Sequence, residues 1–137
     1  MTNPPNNMSW ITPCLTVKDV DKANEFYKNT FGMTIVDSVP GEDGTTWWST
    51  ITHRGETIML GKEGAWGGNT KAPATSGQDA PASLYLYVED IDSFHKDATG
   101  KGATSVQNPD DMFWGDRMGQ LKDIDGYVWS FASPGNK

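Results

Sequence analysis

The chain has 137 residues, 36% of them hydrophobic and 21% charged, which suffices for one compact domain or for two very small halves sharing a core. Eleven Lys and Arg against eighteen Asp and Glu leave a formal charge of −7, a field that repels phosphate backbones and anionic lipid and so argues against nucleic-acid and membrane partners. The single Cys14 excludes an intrachain disulfide and any multi-thiolate metal cluster; no apolar run is long enough to span a bilayer, and the opening MTNPPNNMSW lacks the basic and apolar regions of a signal peptide, so a cytoplasmic location is expected.

Residues 11–18 alternate, with Ile11, Leu15 and Val17 on one face and Thr12, Cys14 and Thr16 on the other, the pattern of a half-buried strand. Asp19 offers an N-cap. Behind it Ala23, Phe26, Tyr27 and Thr30 form one helical stripe that Gly32 terminates. Residues 33–39 are rich in β-branched side chains and end in the turn cluster at 40–44. Strands at 46–53 and 57–61 follow, joined across Arg54-Gly55-Glu56 as a hairpin. From 62 to 81 small and turn-forming residues dominate, which reads as a linker. Trp66 within it has two readings, a plug that packs the loop down or part of a binding lid.

The second half repeats this order. Residues 82–89 alternate, Leu84, Leu86 and Val88 facing one way and Ser83, Tyr85 and Tyr87 the other. Asp90 caps a helix to about residue 99, a strand covers 102–107, and Asn108-Pro109-Asp110-Asp111 is expected to turn the chain. Strands at 117–122 and 127–133 are joined by Asp123-Ile124-Asp125-Gly126, an Asp-Gly hairpin signal in which the carboxylates cap the turn. Direct self-comparison gives the same result: Val17-Lys18-Asp19-Val20-Asp21 recurs as Val88-Glu89-Asp90-Ile91-Asp92, and Gly32-Met33-Thr34-Ile35-Val36 is echoed by Gly102-Ala103-Thr104-Ser105-Val106. The chain therefore reads as one domain built from a duplicated module: module one at 10–62, a linker at 63–81 and module two at 82–133.

These stretches resemble the vicinal oxygen chelate superfamily (glyoxalase I, bleomycin-resistance proteins, extradiol dioxygenases). The run from Ile11 to Asp19, Phe26-Tyr27, Phe31-Gly32, Leu84 to Asp92, Phe113-Trp114-Gly115-Asp116-Arg117 and Asp123 to Trp129 look like its PhnB-like branch. The resemblance implies an α+β fold in which duplicated βαβββ modules form an eight-stranded curled sheet, with helices outside and a ligand groove inside. It also implies a homodimer, because members of the superfamily commonly complete their barrels across a two-fold axis.

Metal-using members place a His on the first strand of each module and a Glu or Gln on the last. Here the first-strand positions fall on Thr12 and Ser83, the final-strand position on Ser130, and the last strand of the first module offers Thr57 or Met59. Neutral hydroxyls and a thioether are poor ligands for divalent ions, so neither metal nor any other cofactor is expected. Of the two histidines, His95 is expected on the outer side of its helix. His53 sits beside a hairpin, where Glu56 or Glu63 could complete only a partial site.

Catalytic constellations are not expected either. Cys14 has no predicted histidine to activate it and reads as a small buried thiol, and Gly115-Asp116-Arg117 reads as an internal ion pair that fixes a loop. Six Trp, four Tyr and five Phe are more large rings than one core of this size readily hides, which directs attention to an aromatic groove. Its expected lining is Thr12, Cys14, Trp48, Trp66, Ser83, Tyr85, Tyr87, Trp114 and Ser130, with Trp129 in the core. Against this stands the reading that Trp47 and Trp48 fill the core or a dimer interface. The function expected is sequestration of a planar aromatic small molecule without metal. A metal-dependent glyoxalase-like lyase or dioxygenase is the alternative, and an interaction module with a self-filled groove is a third reading.

Overall fold

The computed structural model describes residues 4–5 and 8–135. Asp19 and Asp90 each start a helix by accepting hydrogen bonds from backbone N–H groups of the first turn, Lys22 in one case and Asp92 and Ser93 in the other. These helices, α1 (Val20–Phe31) and α3 (Ile91–Gly100), each follow a short strand, β1 (Cys14–Val17) and β5 (Leu84–Tyr87). Three further strands complete each unit: β2 (Thr34–Pro40), β3 (Thr46–His53) and β4 (Glu56–Lys62) in the first, β6 (Thr104–Asp111), β7 (Asp116–Lys122) and β8 (Val128–Pro134) in the second. A short helix α2 (Pro73–Ser76) lies between the units.

The two four-stranded sheets share one topology. Their orders are β1-β4-β3-β2 and β5-β8-β7-β6, with β1 and β5 parallel to their neighbours and the remaining pairs antiparallel. The sheets do not close into a barrel, and β1, β2, β5 and β6 are edges.

One core serves both units. Phe31 ends α1 in contact with Phe94 of α3 and with Trp129 and Phe131 of β8, at ring separations of 6.1, 5.6 and 4.9 Å. Trp129 and Phe131 are fully buried, as the last-strand alternation predicts for Trp129. Neither half encloses enough apolar surface alone, and packing both helices against both sheets meets that need.

A carboxylate knot ties the units together. Asp123 at the β7–β8 turn accepts hydrogen bonds from the Tyr27 hydroxyl of α1, from Trp129 Nε1 at 2.8 Å, and from the backbone N–H of Asp125 and Tyr127. Asp125 accepts from the Lys18 N–H at 2.9 Å, and the Tyr127 hydroxyl donates to the Thr16 carbonyl at 2.8 Å. Burial pushes the Asp123 carboxyl up, opposed by the donors from Tyr27 and Trp129. Burial likewise pushes Asp125 up to about 6, opposed by the Lys18 N–H.

A carboxyl whose folded pKa exceeds its unfolded value holds its proton longer in the folded chain, so it favours folding at low pH and loses that advantage between about pH 4 and 6. Asp125→Asn keeps an oxygen for Lys18 and removes the titration. Thermal melts at pH 5 and pH 7.5 should therefore show a smaller loss of stability with rising pH in the variant, by about 1 kcal/mol. Parallel pH curves for the two proteins would refute this.

Several local expectations change. The first strand begins at Cys14, because Pro13 has no N–H to extend the ladder; Ile11 is 85% exposed, and the Thr12 hydroxyl turns back to the Ser9 carbonyl at 3.1 Å. Ser83 likewise precedes β5. Asn108–Asp111 is not a turn. It continues β6, where Pro109 is tolerated on an edge strand with register shifts on either side of Gln107. The chain instead reverses at 112–115, closed by Met112 N–H to the Asp116 carbonyl at 2.7 Å and Gly115 at φ +101°, which puts Phe113 and Trp114 at the tip.

His95 is not on the surface. It is 5% exposed and faces the sheet with Ile91 and Ala98, one helical stripe, within reach of the Ser105 hydroxyl at 3.1 Å. Arg117 pairs with Asp92 through two nitrogens, at 2.8 and 3.0 Å, and with Asp111 at 3.4 Å, while Asp116 points elsewhere.

Candidate functional site

The alternation of β5 fixes one wall of a site. Leu84 and Leu86 pack against the core, which turns Tyr85 and Tyr87 outward on the opposite face. Both phenols donate to one oxygen, Oδ2 of Asp116, at 2.7 and 2.8 Å, and the Trp114 indole N–H donates to the Tyr85 oxygen at 3.0 Å. The tyrosine rings meet edge to face, 5.6 Å apart. Burial and the Asp116 bond push the Tyr85 phenol up, with Trp114 pulling the other way; for Tyr87 the Asp116 bond acts first. Both hydroxyls are thus protonated donors at neutral pH.

Ser130, directly opposite Tyr85 in the register, is buried on the same face and accepts from Gln120 Nε2 at 3.1 Å. Asp116, expected from the sequence in an ion pair with Arg117, is not among the residues expected to line the groove. The parity argument used for β5, applied to 116–122, puts Asp116, Met118 and Gln120 on that same face.

A second aromatic cluster stands on the first sheet. Register places Trp48, Gly61 and Thr16 in one row, and Thr50, Met59 and Cys14 in the next. The Trp48 indole lies over the bare Cα of Gly61, where an added Cβ would come 3.0 Å from the ring. Trp66 stacks edge to face on both Trp47 and Trp48, at 5.1 and 6.1 Å, yet remains 60% exposed. Its backbone is left-handed at φ +50°, a strained state for a bulky residue, between Gly64 and Gly67 at φ +75°. Asp43 braces the cluster by accepting from Trp47 Nε1 at 2.9 Å and pairing with Lys62 at 3.3 Å. Cys14 is exposed on this sheet, and its thiol is pushed up by partial burial, which disfavours the thiolate.

Between the units, a cavity of about 400 Å³ opens along the seam. Ile11, Pro13, Thr57 and Ile58 form one side and Leu84 to Tyr87 the other. His53 lies at its edge, with Nε2 2.8 Å from the Tyr87 carbonyl oxygen. The cavity brings Thr57 and the two tyrosines together; the Trp48–Trp66 pair packs elsewhere, against Trp47 and Gly61.

The donor set does not fit a divalent ion. Thr12 and Ser83 lie outside the strands, Ser130 is engaged by Gln120, and Thr57 and Met59 supply a hydroxyl and a thioether. Among the described residues, no three of His, Cys, Asp and Glu come together in a metal-holding arrangement. No helix among them is long and apolar enough to cross a membrane.

Residues 8–131 match the family model described as Glyoxalase/Bleomycin resistance protein/Dioxygenase superfamily. An uncharacterized protein of Mycobacterium bovis is 33% identical over 126 residues, which is 90% of this chain and 82% of the relative. Among solved structures, TioX from Micromonospora sp. ML1 superposes with a TM-score of 0.73 at 24% identity, covering 92% of this chain and 98% of its own. TnmS3, an antibiotic binding protein from Streptomyces sp. CB03234, gives 0.69 at 23% identity, covering 93% and 98%. At these identities the two structures establish the fold.

Proposed function

This chain belongs to the glyoxalase/bleomycin resistance protein/dioxygenase superfamily, and from that premise we propose that it is a metal-independent binding protein that sequesters a planar aromatic small molecule. The observation that carries this reading is that Tyr85 and Tyr87, whose hydroxyls meet on Asp116 with Trp114 bonded to Tyr85, line an apolar cavity. Flat rings held by hydrogen bonds present π faces with little rotamer entropy left to lose on binding. Thr12, Cys14, Trp48, Trp66, Ser83 and Ser130 remain the wider proposed lining. The likeness to an antibiotic binding protein supports the ligand class, and the donor set speaks against lyase or dioxygenase chemistry through a bound metal.

The working unit in this reading is a cytoplasmic homodimer of the PhnB-like branch. Trp10, Ile11 and the 97% exposed Phe113 are apolar surface that a second copy would cover.

Titration with planar aromatic compounds at micromolar concentration should quench tryptophan emission. Tyr85→Ala and Trp114→Ala should each weaken binding by about 1 kcal/mol or more without loss of fold, in a protein scattering light as twice its 15.0 kDa chain mass. Parent-like binding by both variants, or stoichiometric metal surviving chelation, would overturn the reading.

A further inference from the structure

The hydrogen-bonding edge of β5 opens into the seam cavity, and we propose that it recognises the ligand as a planar cyclic imide, through the main-chain groups of Tyr85 and Tyr87. The inference rests on the binding reading above and names the chemical class of its ligand. In a strand paired on one side only, alternate residues turn their N–H and C=O together toward the partner and the others turn them away. The Val88 N–H donates to the Ala132 carbonyl at 2.8 Å, so Leu84 and Leu86, in the same phase, face β8 as well. Tyr85 and Tyr87 therefore point their main-chain groups to the open side. His53 bears this out, donating from Nε2 at the cavity rim to the Tyr87 carbonyl at 2.8 Å. The cavity is also lined by four consecutive residues, Leu84 to Tyr87, as a strand edge requires; a strand face would contribute every second one.

With the Tyr87 carbonyl engaged by His53, the edge offers a donor, an acceptor and a donor in a row. These are the Tyr85 N–H, the Tyr85 C=O and the Tyr87 N–H, none of which has a partner among the described residues. The opposite wall differs. There the Thr57 N–H donates to Ser9 Oγ at 2.9 Å, the Met59 N–H donates to the Pro13 carbonyl at 2.8 Å, and Pro13 has no N–H to offer. The apolar lining on that side is Ile11, Pro13 and Ile58. A ligand that fits has one polar edge on an apolar body. An imide edge, C=O, N–H and C=O in one plane, is the complement of the β5 pattern, and a site built to pair such groups rejects an analogue that leaves them unpaired. At about 400 Å³ the cavity has the size of a small-molecule site.

The compound 1,8-naphthalimide carries this edge on a flat apolar body; its N-methyl derivative keeps the body and both carbonyls but loses the donor and blocks the edge. Calorimetric titration of the parent protein should show the imide bound about tenfold more tightly, or better, than the N-methyl compound. Tyr85→Ala should weaken both and leave their ratio unchanged within about twofold, because the discriminating groups are main chain. The backbone amide protons of Tyr85 and Tyr87 should gain exchange protection with the imide and not with its N-methyl derivative. Equal binding of the two compounds, or protection that arises elsewhere, overturns the edge pairing while the aromatic site stands, provided Tyr85→Ala still weakens both. Tyr85 and Tyr87 amides that are protected in the ligand-free protein and released on dilution would assign the edge to a second copy and overturn the proposal as well. If neither compound binds, both readings fall.

Discussion

Asp123→Ala should lose roughly 4 kcal/mol of folding stability, enough to leave much of the protein unfolded or insoluble at 37 °C given the 5–15 kcal/mol that domains possess. The carboxylate takes donors on both oxygens: Tyr27 and Trp129 on Oδ2, the N–H groups of Asp125 and Tyr127 on Oδ1. Alanine leaves all of them without this acceptor in a site closed to water, and each stranded donor costs about 1–3 kcal/mol before relaxation. Asp123→Asn is no rescue, because its amide nitrogen must face one of the two pairs of donors. Tyr27→Phe, which removes a single donor, should cost about 1 kcal/mol. Urea unfolding of the three variants checks the order; an Asp123→Ala loss below that of Tyr27→Phe would show that the knot is incidental to the fold.

Phe31→Ala should cost about 3–5 kcal/mol, the range for deleting a fully packed ring. Its ring meets Phe26 at 5.2 Å in its own helix and Phe94, Trp129 and Phe131 from the other unit. The cavity would open where the two halves join, so both should lose structure together. Near-ultraviolet dichroism and tryptophan emission should therefore show one coincident transition. Two separated transitions, or a loss under 1 kcal/mol, would mean that each unit keeps a core of its own.

Short-range features were legible in the sequence because their causes are local. Asp19 and Asp90 cap helices, Gly32 takes the left-handed position, and Tyr85 and Tyr87 oppose Leu84 and Leu86, all from signals within a few residues. The β6–β7 turn lies beyond Asn-Pro-Asp-Asp, although that stretch carries turn chemistry, and only the strand order reveals that Pro109 sits on an edge. His95 reads as surface by polarity, although its helical phase with Ile91 and Ala98 already marked the buried stripe. The meeting of Asp116 with Tyr85 and Tyr87 depends on how β7, β8 and β5 align, a register that a single sequence does not specify. Trp66, which the sequence reads as either plug or lid, packs on two indoles while keeping most of its surface in solvent.

The bond between Thr16 and the Tyr127 hydroxyl spans 111 positions of the chain. During synthesis, α1 leaves the ribosome with Phe31 bare, and its partners Trp129 and Phe131 emerge only with β8. Loop closure over such a distance must precede the contacts that reward it, which slows folding. The nascent first half therefore exposes an apolar face until β8 has been made, and that interval is when this protein is most open to aggregation and to chaperone capture.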